Sequence, residues 1–313
     1  SDAEAARTLR GAWDAGFRYF DTAPVYGFGL SERRLGEAFR ALPRADAVIS
    51  TKVGRLLRPD SGWHPFRKMF PDAAPFRPEY DYSYDGVMRS HEDSLQRLGV
   101  ERVDILYMHD ISAETHGDAL PPLFRTAMEG GYRAMDELRR SGDVKAIGLG
   151  VNEWECCMAA MELGRWDVFL LAGRFTLLEQ APLDSFLPRC AREGVSVVIG
   201  APFNSGILAR GAVEGATYNY EAPSSEIFAR VKAIEDVCSS YGVPIAAAAL
   251  QFPLTHPSVV SVIPGMSSLD QLRWNVERMQ QPIPASLWSD LKARGLLDAD
   301  APTPSQEGAR FQP

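Results

Sequence analysis

The sequence contains few of the residues that build metal centres and disulfide frameworks. Among 313 residues there are four cysteines and five histidines. No CxxC pair is present, and Cys156 and Cys157 are adjacent in the chain. This usage argues against a disulfide-rich secreted scaffold and against a cysteine zinc site, and it favours a reducing cytoplasm.

A surplus of basic residues is also missing. Lys and Arg number 33 against 41 Asp and Glu, a net charge of -8. Nucleic acids and anionic membranes need basic faces, so neither is expected as a partner. No stretch approaches the roughly 18 apolar residues of a membrane span. The opening residues, SDAEAARTLRGAWDAG, have an amphipathic helical pattern rather than that of a signal peptide.

The sequence does contain short apolar runs that alternate with amphipathic helical segments. Most runs are apolar on both faces, which is typical of parallel strands covered by helices. The predicted strands are 17–23, 46–52, 103–109, 144–150, 167–173, 195–200 and 259–264. The predicted helices are 3–15, 30–42, 84–98, 122–141, 153–164, 183–193, 225–241, 244–252 and 268–279.

This alternation predicts an α/β protein with one domain over residues 1–313. Its length and regularity favour a TIM-type (β/α)8 barrel. Seven strands are visible, so we expect that the first strand of the barrel is missing from the N-terminus of this chain. An open doubly wound sheet is the structural alternative, but it usually carries a GxGxxG loop after a strand, and no such loop occurs here.

One stretch, 54–83, has no clear periodicity and is dense in proline, arginine and aromatic residues. We predict a long βα loop there. Loops of this length are often lids or binding loops, and the alternative is a surface excursion packed on its own aromatics.

Polar residues stand where three predicted strands end: Asp21, Lys52 and His109. Tyr26 follows Asp21 in the same strand-to-helix loop. The C-terminal ends of barrel strands form the rim that holds the active site. The sequence therefore predicts that these four side chains converge.

Together these side chains suit proton transfer. A free phenol, with a pKa of about 10, is a poor base near neutrality, but a nearby ammonium group favours the phenolate. Lys52 can supply that charge, Asp21 can hold Lys52 protonated, and His109 can hydrogen-bond a substrate oxygen. The set suits carbonyl–alcohol interconversion with a cofactor that carries the hydride.

Three segments carry a family resemblance over nearly the whole chain. FDTAPVYGFGLSERRLGEAF, STKVG and SLQRLGVERVDILYMHD resemble the aldo-keto reductase family. The resemblance implies a catalytic tetrad of Asp21, Tyr26, Lys52 and His109, with Tyr26 as general acid/base.

The resemblance also implies a nicotinamide cofactor and no metal. GLGVN (148–152) retains Asn152 but has Val151 in place of the family's serine, and Gly200 stands where an aromatic usually stacks. APFNSGIL (201–208) is similar to the loop that holds the pyrophosphate. The implied cofactor-binding residues are Asn152, Pro202, Phe203, Asn204, Ser205, Gly206, Leu208, Gly265, Met266, Ser267, Gln271 and Asn275.

NAD is the expected cofactor, with NADP possible. Family members that prefer NADP offer a lysine or arginine to the 2′-phosphate, and Arg273 is the sole cation in IPGMSSLDQLRWN (263–275). A phosphate dianion needs charge-assisted donors.

Within the family, residues 55–84 and GVMRSHEDSLQRLG most resemble the sugar dehydrogenase branch. That branch includes L-fucose dehydrogenase, also called D-threo-aldose 1-dehydrogenase, and enzymes acting on L-galactose or pyridoxal. The resemblance implies oxidation of an aldose of the L-fucose, L-galactose or D-arabinose type to the lactone. Substrate-contact candidates, for which loop packing is the alternative, are Trp63, His64, Phe66, Trp154 and Arg174.

Three other functions compete with sugar oxidation. The first is an NADPH-dependent aldehyde or ketone reductase, and the second is a cofactor-binding redox-sensor subunit without turnover. The third is a metal-dependent hydrolase with His109, Asp110 and His116 as ligands. Adjacent strand residues point to opposite faces, which argues against that third reading.

Overall fold

The computed structural model describes residues 1–304, except for the side chain of Phe66. The chain divides into two compact units. The first unit comprises Ser1–Phe169 with Ser267–Leu269, and the second comprises Leu170–Met266 with the residues from Asp270 onward. The prediction of a single domain over 1–313 stays a prediction.

Nine strands occur within residues 1–304. They are β1 Tyr19–Asp21, β2 Val48–Val53, β3 Arg55–Pro59, β4 Phe76–Tyr80, β5 Ile105–His109, β6 Ala146–Val151, β7 Val168–Ala172, β8 Ser196–Gly200 and β9 Val259–Ile263.

The strands outside the β3–β4 pair follow chain order. In the first unit the order is β1-β2-β5-β6-β7, and in the second it is β7-β8-β9, with β7 crossing the boundary between the units. The resolved pairings among them are parallel. Strands β5 and β6 are almost wholly buried, which agrees with their apolar sequences.

Helices separate the strands, as the periodicity predicts. They are α1 Asp2–Asp14, α2 Leu30–Phe39, α3 Tyr84–Leu98, α4 Ala113–His116, α5 Leu120–Thr126, α6 Tyr132–Ser141, α7 Trp154–Met161, α8 Phe186–Glu193, α9 Ile207–Arg210, α10 Ser225–Ser240, α11 Ile245–Gln251, α12 Leu269–Gln280 and α13 Ala285–Ala293.

Helix α3 shows why these boundaries fall where they do. The Ser83 side chain accepts a hydrogen bond from the Gly86 backbone N–H at its start. Gly99 adopts the left-handed conformation just after its end, with φ +63°. An N-cap serine and a glycine after the last turn satisfy the backbone groups that a helix leaves unpaired.

Two sequence predictions need correction. The stretch 54–83 contains an antiparallel hairpin of β3 and β4, in which Arg55 pairs with Tyr80 and Pro59 with Phe76. Its strands are partly exposed and carry arginine and proline, so they lack the apolar pattern of the parallel strands. The predicted helix 122–141 is two α-helices joined by a π-helical segment, Ala127–Gly131.

Within the described chain, no single helix is long and apolar enough to cross a membrane. Among residues 1–304, one bent pair, Ser225–Ser240 with Ile245–Thr255, meets the length and composition limits together, at an angle of 99°.

Candidate active site

The register of β1 against β2 brings Asp21 next to Lys52. Asp21 is the Cα partner of Ser50, and Lys52 lies two residues further along β2, on the same face as Ser50. The Lys52 ammonium donates to Asp21 Oδ2 at 2.6 Å and to the Thr22 carbonyl oxygen at 2.9 Å. The Lys52 side chain is 1% exposed. A buried ammonium is thus held by a carboxylate and a backbone carbonyl.

The second oxygen of Asp21 is also fixed. Ser50 Oγ donates to Asp21 Oδ1 at 2.6 Å, and the Tyr19 hydroxyl lies 3.1 Å from Ser50 Oγ and 3.1 Å from the Tyr107 hydroxyl. Burial raises the pKa of Tyr19 to about 12 and that of Tyr107 well above its usual value. These phenols are therefore neutral hydrogen-bond partners that act through Ser50, which binds Asp21, a role not predicted from the sequence.

Tyr26 lies in the loop between β1 and α2. Its ring packs on the buried residues Ala23, Val25 and Phe28, and its centre is 4.7 Å from Lys52 Nζ. The ammonium is therefore next to the phenol, as the sequence predicts.

The pKa of Tyr26 differs from the sequence expectation. Burial raises this pKa, while the charge of Lys52 and a hydrogen bond to it lower it, and the net direction is upward. For Lys52, burial lowers the pKa, but Asp21 and Tyr26 outweigh burial and raise it. Tyr26 is therefore a neutral acid at neutral pH in the protein by itself, and the ammonium limits the free-energy cost of forming its phenolate.

His109 ends β5 and meets Tyr26 edge-to-face, with ring centres 6.0 Å apart. Burial, helped by the charges of Arg55 and Lys52, holds the pKa of His109 well below its usual value. The imidazole is therefore neutral, and it can hydrogen-bond a substrate oxygen without carrying charge.

Two charged residues lie beside His109: Arg55, which was not predicted as a site residue, and Asp110, which was named only in the metal-hydrolase alternative. Arg55 donates to Asp110 Oδ2, and the same oxygen lies 3.6 Å from His109 Nε2. Asp110 has a left-handed backbone, φ +49°, so its carboxylate returns to the side of His109. The expectation that His109 and Asp110 point to opposite faces is therefore wrong at this position. The signal available in the sequence was a charged residue shortly after each of two strands: Arg55 after the strand of Lys52, and Asp110 after the strand of His109.

The predicted cofactor residues are divided between the units. Half-buried Asn152, which follows β6, and Ser267 belong to the first unit, and the remaining ten belong to the second. Their convergence on one cofactor stays a prediction.

In the second unit, the loop after β8 has an unusual backbone. Ala201, Asn204, Ser205 and Gly206 all have positive φ, and a Cβ at Gly206 would meet nothing within 4 Å. The Asn204 amide donates to the Gly173 carbonyl oxygen at 2.9 Å. This conformation leaves the backbone at Gly206 open to close approach.

Two buried amide oxygens in this unit, Asn204 Oδ1 and Asn275 Oδ1, have no hydrogen-bond partner among residues 1–304. Buried acceptors of this kind are normally satisfied, so a ligand with N–H donors, such as an adenine nucleotide, fits them. Phe203 packs edge-on against Trp274 at 5.9 Å. Arg273 is exposed and faces Asp270 at 3.8 Å.

The predicted substrate residues have varied surroundings. Trp63 is 70% exposed, whereas His64 packs edge-to-face on Phe28 at 5.8 Å. Trp154 is half-buried at the start of α7, and Arg174 lies in the second unit. The Phe66 side chain lies outside the described residues.

Among residues 1–304, no group of three or more His, Cys, Asp or Glu could hold a metal ion.

Comparisons with known proteins agree on one family. The profile of the Aldo/keto reductase family matches residues 1–294. The chain is 44% identical to "Pyridoxal 4-dehydrogenase" of Microbacterium luteolum, over 95% of this chain and 90% of the relative. It is 40% identical to "D-threo-aldose 1-dehydrogenase" of a Pseudomonas species (97% and 90%) and 30% identical to "L-galactose dehydrogenase" of Arabidopsis thaliana (87% and 77%).

Solved structures give the same result for the fold. An aldo-keto reductase from Bacillus halodurans in its holo form superposes with a TM-score of 0.74 at 25% identity, covering 96% of this chain and 89% of that chain. The glycerol dehydrogenase of Gluconobacter oxydans gives 0.73 at 20% identity, covering 100% and 90%. These likenesses confirm the predicted TIM-type (β/α)8 fold class.

Proposed function

The chain belongs to the aldo/keto reductase family, and we propose that it is an NAD-dependent dehydrogenase that oxidises an aldose at its anomeric carbon to the lactone. The observation that carries the proposal is the buried Lys52 ammonium, held by Asp21 and lying against the Tyr26 ring. The substrate class is supported by the names of relatives that act on D-threo-aldoses and L-galactose.

Tyr26 is the proposed general base. Its phenolate removes the proton of the anomeric hydroxyl, and the C–O bond gains double-bond character as the anomeric hydrogen leaves as hydride. A nicotinamide nucleotide, when bound, would supply the hydride acceptor. Lys52 stabilises the phenolate, and Asp21 keeps Lys52 protonated and in place. The neutral His109 imidazole donates a hydrogen bond to the same substrate oxygen. This hydrogen bond orients the carbonyl group that forms there as the substrate is oxidised.

NAD is proposed over NADP because the local cation is poorly placed for a phosphate. Arg273 is exposed and shares its charge with Asp270. Residues 265–267 and Gln271 add no cationic side chain. A 2′-phosphate would therefore gain little from this segment.

Pyridoxal is a second candidate substrate, favoured by the relative at 44% identity that is named for it. Its aldehyde and neighbouring hydroxymethyl group can close into a cyclic hemiacetal, which presents the same H–C–O–H group as an aldose ring. The proposed roles of Tyr26 and Lys52 apply to both substrates without change.

We also propose a reducing cytoplasm as the location, since the four cysteines are buried thiols.

The test is to incubate the protein with NAD and, separately, L-fucose, L-galactose, D-arabinose and pyridoxal, and to follow the absorbance of the reduced nicotinamide. We expect turnover of at least one sugar, with a higher kcat/KM for NAD than for NADP. Turnover of pyridoxal alone would shift the assignment to the second candidate. No turnover of any of the four would refute the proposed substrate class.

A further inference from the structure

A buried ion pair lies beside His109. The Arg55 side chain is 4% exposed and that of Asp110 is 24% exposed. Arg55 opens β3 and is separated only by Gly54 from the strand that carries Lys52, and Asp110 directly follows β5. Burying two charges has a substantial desolvation cost, so such a pair needs excellent geometry or a function.

Aromatic residues hold Arg55 in place. Its guanidinium carbon lies 4.9 Å from the centre of the Tyr80 ring, and Tyr80 stacks on Tyr82 at 6.0 Å. The turn before Arg55 depends on Gly54, which has φ +92°; a Cβ there would lie 2.4 Å from the Tyr82 ring. The Tyr82 hydroxyl donates to the His109 carbonyl oxygen at 2.8 Å. Arg55 and the backbone of His109 are thus positioned through the same rings.

The two ring nitrogens of His109 have different surroundings. Nδ1 is buried and has no hydrogen-bond partner within the described residues. Nε2 lies 3.6 Å from Asp110 Oδ2, longer than a hydrogen bond. A charged imidazolium would place an N–H at Nδ1 with no acceptor, so the neutral tautomer with its proton on Nε2 is favoured. That N–H remains available for a substrate oxygen.

Asp110 would oppose this state if it were alone. Burial raises the pKa of Asp110, while Arg55 and Lys52 lower it, so without Arg55 the carboxylate and the imidazole would compete for an additional proton. Arg55 removes that competition because its guanidinium binds the same oxygen, Asp110 Oδ2.

We propose that Arg55 is a positioning residue, which neutralises Asp110 and so keeps His109 an uncharged hydrogen-bond donor, leaving Tyr26 as the only group that exchanges the proton. The inference deepens the proposed dehydrogenase function and, in its catalytic part, rests on it. An imidazolium is a stronger acid than a phenol. In the reducing direction a charged His109 would therefore compete with Tyr26 as the proton donor to the substrate oxygen. In oxidation its charge would oppose hydride departure, which leaves positive charge on the anomeric carbon.

The charged and titratable groups around His109 come from several elements. They are Lys52 on β2, Arg55 on β3, Tyr26 in the β1–α2 loop, Asp110 after β5, and Tyr82 with its hydrogen-bonded partner His116. Lys52 and Arg55 are the cations in this set, and Asp110, which is paired with Arg55, is its anion. Removing Arg55 therefore changes the charge balance at His109 more than removing any surface cation.

The test measures the protonation of His109 by NMR as a function of pH, in protein without substrate, with the resonance assigned from H109Q. We expect His109 in the wild type to stay neutral between about pH 5 and 8, the range in which histidines usually titrate. In R55Q the pKa of His109 should rise, so that protonation is detected toward the acidic end of that range, while burial and Lys52 still hold the pKa below its usual value. R55K, which restores the charge, and R55Q–D110N, which removes both charges, should keep it neutral. If R55Q does not fold, R55M fills the same volume with an apolar chain.

R97Q is the matched control. Arg97 forms another largely buried pair, with Glu32, in the same unit. Its loss should destabilise the fold without moving the titration of His109. In turnover with a sugar, R55Q should lose about tenfold in kcat/KM at pH 6 relative to pH 8, beyond the wild-type change, and R55K should recover most of it.

A His109 that stays neutral in R55Q and R55M, or that titrates equally in R97Q, would overturn the proposal. These outcomes are separate from those of the substrate panel. If the wild type oxidises none of the substrates, the proposed function fails, and the NMR titration still decides whether Arg55 sets the charge of His109.

Discussion

Replacing Lys52 with methionine tests the proposed chemistry most directly. The substitution keeps an unbranched side chain of similar length and removes one buried charge. Lys52 Nζ lies 4.7 Å from the centre of the Tyr26 ring. At that distance and an effective dielectric of about 20, the attraction between the ammonium and a phenolate is roughly 3.5 kcal/mol. At about 1.4 kcal/mol per factor of ten, K52M should lower the rate of oxidation by 10²- to 10³-fold near neutrality.

The pH dependence has a definite sign. Oxidation needs the phenolate, and the net pKa of Tyr26 is raised in the protein. The wild-type kcat/KM for oxidation should therefore rise with pH above neutrality, and the rise in K52M should occur at still higher pH. Reduction of the product uses the neutral phenol, so its rate should fall over the same range. Steady-state assays in both directions across the pH range measure this.

K52M also leaves Asp21 as a buried carboxylate without its cation, which costs about 3–5 kcal/mol of stability. The double variant K52M–D21N removes both charges and separates the two effects. It should recover stability in urea denaturation. Its rate should recover only in part, because the charge of Asp21 itself raises the pKa of Tyr26. A folded K52M with wild-type kcat/KM and an unmoved pH profile would refute the reasoning.

Two further variants probe the proton and the fold. Y26F should reduce the rate by at least about 10³-fold while cofactor affinity, measured by fluorescence titration, changes little; surviving activity would mean that another group moves the proton. D104N should cost about 3 kcal/mol at pH 7, because Asp104 Oδ2 accepts from the Ile49 N–H at 2.9 Å and from Arg44 at 2.7 Å. Burial raises the pKa of Asp104, but these donors outweigh it and lower the pKa, so the wild-type advantage should persist above about pH 4 and shrink below it. Urea denaturation of the wild type and D104N, at pH 7 and below about pH 4, measures the difference in their free energies of unfolding. Equal stability of the two proteins at pH 7 would contradict the argument.

Much of the site could be predicted because it depends on strand order and register. Asp21, Lys52 and His109 end consecutive strands of one parallel sheet, and side chains at such ends meet at one edge. Tyr26 could be added because its loop follows directly from β1. Apolar runs and helical periods therefore placed these candidate residues at one edge without any contact information.

The remainder depends on geometry that no residue pattern states. The Arg55–Asp110 pair needs a left-handed backbone at Asp110, a conformation that non-glycine residues seldom adopt. The hairpin of β3 and β4 was missed because its strands are partly exposed and carry arginine and proline. The direction of the Tyr26 pKa was misjudged because burial, the dominant cause, could not be judged from sequence.

The parallel register of β1 and β2 has a consequence for how this protein can diverge. Since Asp21 faces Ser50 and Lys52 stands one side-chain period further on, a single-residue insertion in β2 before Lys52 would turn the amine to the opposite face. The residues between β3 and β4 have no such constraint from strand pairing. Lineages can therefore lengthen or shorten the hairpin tip without changing the register that holds Asp21 and Lys52 together.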